Sequence, residues 1–143
     1  MQNLTVRGLG GDRYAIDVRG HEVLVDQPSS AGGDDSAPTP TELFVAGLAS
    51  CVAFYAGRFC DRHGVDRAGL RVDLAWELAA DRPARVGAIE VKVTPPAALP
   101  DGRRAAFASV VRHCTVHNTL EHPPPVEVSV VEVAPALAAA GPS

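Results

Sequence analysis

The chain of 143 residues has only three cysteines, an odd count. That is too few for a small secreted fold built on disulfides, so the thiols point to redox chemistry, metal binding or plain packing. Lysines and arginines form no cluster and the net charge is −4. Nucleic acid and anionic lipid surfaces are therefore not expected as partners. The stretch from Met1 to Arg7 lacks a basic patch followed by an apolar run and a small-residue cleavage site, and a cytoplasmic location is expected. The uncharged run from Leu43 to Gly57 rises only about 22 Å as a helix, short of the hydrocarbon core of a bilayer, so no membrane span is expected. There is no internal repeat, and an apolar content of 46% is that of one ordinary globular domain over residues 1–143.

What is present reads as an α+β chain. Leu4 to Val6, Arg13 to Val18 and His21 to Val25 alternate apolar and polar residues between glycine-rich breaks, the pattern of a meander of half-buried strands. Residues 28–40 are small, acidic and turn-forming, which predicts an exposed, mobile loop. Thr39-Pro40-Thr41-Glu42 then combines a capping threonine, a proline in the first turn and a glutamate three residues after the cap. The helix it opens runs from Thr41 to about His63 and stops at Gly64. Leu70 to Leu78 and Val86 to Val93 predict a hairpin around Ala80-Asp81-Arg82-Pro83, and Pro95-Pro96 ends it. A second helix, with a short extension, is expected from Asp101 through about His113. A last strand is expected from Val126 to Val133, and a frayed tail over residues 134–143. The Leu43–Gly57 helix has no polar face to offer water, and a chain this small covers it with difficulty. A second subunit is the natural cover, so a homodimer is expected.

Cys51 and Cys60 sit nine positions apart on that helix, about 180° around it and about 13 Å along it, too far for a disulfide. Any redox pair must therefore involve Cys114. Cys51 shares its stripe with Phe44, Leu48, Phe54, Tyr55 and Arg58. On these residues alone a small packed thiol is a more natural reading than a reactive one, and Cys60 reads as core. His113, Cys114 and His117 resemble part of a metal site, but zinc takes three or four ligands and no CxxC or carboxylate cluster accompanies them. No metal or bound cofactor is expected, and the histidines read as surface residues.

Two blocks taken together are more specific: Pro40-Thr41-Glu42-Leu43-Phe44 ahead of Ala49-Ser50-Cys51, and Cys114-Thr115-Val116-His117-Asn118-Thr119-Leu120. With Gly20-His21-Glu22-Val23 they make the chain resemble the OsmC/Ohr family, in its OsmC-like branch. The resemblance implies an intertwined homodimer in which antiparallel sheets wrap two long buried helices. It also implies a thiol peroxidase: the cysteine matched by Cys51 becomes a sulfenic acid on attacking a hydroperoxide, and Cys114 resolves it as a disulfide. An external dithiol of lipoyl type then reduces the pair. The family supports its thiolate with an arginine from the N-terminal strands, matched by Arg13 and next by Arg19, held by a glutamate at the start of the buried helix. In well characterised members that glutamate directly follows the proline; here Thr41 takes that place and the carboxylate is Glu42. Thr115 replaces a proline that often follows the second cysteine. The competing expectation is a non-enzymatic OsmC-like protein, stress-related or binding a small molecule, with metal binding at His113, Cys114 and His117 third.

Overall fold

Alternating side chains and tight turns build the first layer. The computed structural model describes residues 1–134, and the tail beyond lies outside it. Strands β1 (Thr5–Gly10), β2 (Arg13–Val18) and β3 (His21–Val25) form an antiparallel meander. Ile16 sits opposite both Val6 and Val23, so the sheet carries one apolar face. The other face carries Arg7, which bonds Asp17 at 2.9 Å and also pairs with Glu22. The β2–β3 turn places Arg19 and Gly20 at φ of 50° and 80°, the left-handed pair that a two-residue hairpin loop demands. The sheet's substantial contacts are among its own strands. Its apolar face stays largely open, with Val6 and Tyr14 exposed.

Residues 28–40, expected to be mobile, are instead tied down at their base. Asp26, 1% exposed, accepts hydrogen bonds from the backbone N–H and hydroxyl of Ser36 and from the Gln27 N–H. The Ser36 bonds come first among the causes that hold its carboxyl down to about 2. The Asp26 N–H also donates to the Pro38 carbonyl, closing the loop. Composition identifies the loop's solvent exposure but not this anchor, because the anchoring carboxylate lies just before it.

Helix α1 (Pro40–Arg62) begins as the sequence predicts: Thr39 Oγ1 accepts from the Glu42 N–H at 3.1 Å, and Glu42 Oε2 accepts from the Thr39 N–H at 2.8 Å. It is long and apolar enough to cross a membrane by those two measures. Here, however, it packs against the hairpin of β4 (Arg71–Leu78) and β5 (Val86–Thr94) and against α2 (Arg104–Val111) and α3 (Thr115–Glu121). Period-2 alternation aims Val72 and Leu74 from β4, and Ile89, Val91 and Val93 from β5, at the helix. Two clusters result. One joins Ala56, Phe59 and Cys60 to Leu99 and Phe107, with the Phe59 and Phe107 rings edge to face at 5.5 Å. The other joins Leu48 and Val52 to Cys114.

Within the chain the apolar helix is covered on one side only, leaving Phe44 and Phe54 46% and 58% exposed. Two expectations need correction. The second helix ends at Val111, not near His113, and α3 begins as a separate helix at Thr115. Val126 to Val133 forms no strand: its valines are 79–95% exposed, because no sheet edge among the described residues pairs with them.

Candidate active site: two thiols beside an apolar cavity

Cys114 arrives at α1 through a local break in the chain. Arg112 caps the C-terminus of α2, and Cys114 turns to φ −72°, ψ 157° to cap α3. Its Sγ takes the place usually filled by a serine or aspartate oxygen, accepting from the His117 N–H at 3.4 Å. Thr115 comes next, at the first helical position, and its hydroxyl bonds the Tyr55 hydroxyl of α1 at 2.8 Å. The residue standing where proline is common thus ties α3 to α1.

This arrangement brings two of the four candidate site residues together. Cys114 is fully buried in the cluster with Leu48 and Val52, Cys51 packs on that cluster half-buried, and both thiols are free. Cys51 and Cys114 thus lie in one packed cluster between α1 and the link that joins α2 to α3. Burial pushes the Cys114 thiol up, the His117 N–H opposes this, and Cys51 adds to the rise. Cys114 is therefore held in its thiol form at neutral pH. Cys60 stands in the other cluster, its thiol also raised by burial.

A cavity of about 440 Å³ shares Leu48 and Val52 with the cluster that holds Cys114. Leu48, Val52, Ile89 and Val111 give it apolar walls, while Arg112, His117 and Glu121 contribute polar groups. Cys51 lies between two of its lining positions on α1 without lining it.

Arg13 and Glu42 are not brought to the thiols within the chain. Glu42 lies nine residues before Cys51, about 13 Å back along the helix, and one carboxylate oxygen is engaged by Thr39. Arg13 opens β2, on a sheet whose substantial contacts exclude α1. Arg19 occupies a hairpin tip. Neither forms an ion pair among the described residues. The supposed metal ligands also diverge: the His113 and His117 rings bond the Ser109 and Arg112 carbonyls, both at 2.7 Å. Among the described residues no group of His, Cys, Asp or Glu suits a metal ion. Sequence reasoning missed Arg112, which carried no signal beyond its neighbour Cys114. It also missed Tyr55 and Thr115 as a tether, since they are sixty positions apart.

Fold and site define an α+β protein with a pair of adjacent free thiols held between helices. The chain belongs to the OsmC-like protein family, whose model matches residues 33–129. A protein of Psychrobacter arcticus assigned to osmotic stress and detoxification is similar at 26% identity and TM-score 0.74, over 83% of this chain and 88% of that one. The organic hydroperoxide resistance protein OsmC of Legionella pneumophila shares the fold at 17% identity and TM-score 0.59, over 84% and 90%. An OsmC-like hydroperoxide resistance protein of Jannaschia shares it at 21% and 0.53, over 91% and 93%. No curated protein matches the sequence.

Proposed function

We propose that this protein reduces organic hydroperoxides with its own thiols, and the observation that carries the reading is the packing of Cys51 against the cluster that holds Cys114. The Cys51 thiolate attacks the distal peroxide oxygen, the O–O bond breaks, and the alkoxide leaves as an alcohol after taking a proton. The resulting sulfenic acid meets Cys114, whose sulfur displaces water to form the disulfide. An external dithiol, of lipoyl type, returns both thiols by exchange. The apolar cavity suits an alkyl or lipid chain, and hydroperoxide resistance is the stated role of two of the proteins sharing the fold.

The working unit in this reading is a cytoplasmic homodimer. A second copy covers the open side of α1 around Phe44 and Phe54, and offers an edge to the exposed valines of 126–133. Arg13, on a sheet with no substantial contact to α1 of its own chain, supports the thiolate of the partner in this reading. The alternative is a non-enzymatic OsmC-like protein that uses the cavity to bind a small molecule. It is favoured by the engagement of Glu42 in the helix cap rather than with an arginine.

The test is hydroperoxide consumption, measured with cumene hydroperoxide and dihydrolipoamide. Wild type turns over and Cys51→Ser does not, whereas Cys114→Ser consumes one equivalent and stalls. Equal consumption by wild type and Cys51→Ser would sink the reading.

A further inference from the structure

The residue best placed to control closure of the thiol pair is one with no chemistry of its own at the sulfurs. Cys114 stands at a short link between helices, after the last turn of α2 and before the first of α3. Such a link is held only by what satisfies the free carbonyls and N–H groups at the two helix ends. His117 does so on both sides. Its ring Nδ1 lies 2.7 Å from the Arg112 carbonyl oxygen; a carbonyl can only accept, so Nδ1 carries the hydrogen and donates it. Its backbone N–H donates to the Cys114 Sγ at 3.4 Å. The same residue thus anchors the chain two positions before Cys114 with its ring while its backbone fixes the rotamer of the thiol. Asn118 adds bonds to the Cys114 and His113 carbonyls, but from one residue further on and without touching the sulfur.

We propose that His117 is the positioning residue for the resolving step: its Nδ1–H bond to the Arg112 carbonyl holds the turn that presents Cys114 to Cys51. This rests on the reading of the two thiols as a redox pair and adds a residue to it. Disulfide closure requires the two packed sulfurs to come to a bond of about 2.05 Å. A misplacement on the order of 1 Å costs an intramolecular step up to about a hundredfold. Cys51 remains packed on α1 when the turn loosens, so its thiol stays open to an oxidant that does not need the cavity. The closing reaction slows, and the waiting sulfenic acid goes on to sulfinic acid.

Three variants test this, using the full chain. His117→Ala removes the ring donor; His117→Gln offers an N–H at the ε position only; His117→Asn restores one at the δ position. Closure is followed by peptide mapping under diamide, which needs no peroxidase activity, and under cumene hydroperoxide, which also yields the sulfinic fraction. Expected are closure slowed about tenfold or more relative to the loss of the first Cys51 thiol in His117→Ala and His117→Gln, under either oxidant, and recovery of that ratio in His117→Asn. Wild-type closure rates in His117→Ala, or failure of His117→Asn to recover, overturn the proposal. If wild type ignores peroxide yet closes under diamide with this dependence, the peroxidase reading falls and the role of His117 stands.

Discussion

Replacing Glu42 by alanine or glutamine separates a helix cap from a relay carboxylate. In the capping box Glu42 contributes one hydrogen bond, from the Thr39 N–H at 2.8 Å, and one negative charge in the first turn of α1. Alanine removes both and costs about 1 kcal/mol, whereas glutamine keeps the bond, loses the charge and costs about 0.5 kcal/mol. In a chain of this size 1 kcal/mol lowers the melting midpoint by roughly 3 °C. If Glu42 instead held an arginine against the thiolate, every 1.4 kcal/mol or so of lost support would cut the thiolate fraction about tenfold. Thermal melts followed by circular dichroism, beside rates of thiol loss with cumene hydroperoxide, distinguish the two. The cap account expects the small shifts and an unchanged rate. A Glu42→Gln protein that melts like wild type but reacts about tenfold more slowly would refute it.

Other outcomes rest on the same geometry. Asp26 has its folded pKa, about 2, below that of a free aspartate, so its stabilising effect is complete above about pH 4 and lost as pH falls toward the folded value. Asp26→Asn should flatten the acid limb of a stability–pH profile over that window, and an unaltered limb would contradict the assignment. Arg19→Asn should raise stability by about 1 kcal/mol in urea with an unchanged m-value, since asparagine tolerates the left-handed conformation better. Cys60→Ser, which buries a hydroxyl among Ala56, Phe59 and Phe107, should cost about 2 kcal/mol while leaving the pattern of thiol oxidation unchanged. Light scattering at micromolar concentration should give twice the mass of one chain.

The elements whose partners are close in sequence were the legible ones. β2 and β3 match the expected spans, and α1 begins at the expected cap, because alternation and the Thr39–Glu42 box are local signals. Val126 to Val133 carries equally clear alternation and yet is unpaired, since alternation reports a surface suited to a sheet and not the edge that must receive it. The break between α2 and α3 escaped notice because its cap is a cysteine, outside the usual capping set. Within the site, family resemblance singled out Cys51 and Cys114, and helical spacing excluded a bridge from Cys51 to Cys60. That Cys114 meets Cys51 depends on packing between elements some sixty residues apart, as does the Tyr55–Thr115 bond. His117 looked like a surface histidine because its role lies in bonds to the backbone, which residue type alone does not reveal.

The most direct test of the central claim is peptide mapping of the folded wild-type protein after one equivalent of an organic hydroperoxide. The account predicts a single disulfide joining Cys51 to Cys114, with Cys60 still a free thiol. Finding Cys51 and Cys114 both reduced after excess hydroperoxide, or a bridge that uses Cys60, would contradict it.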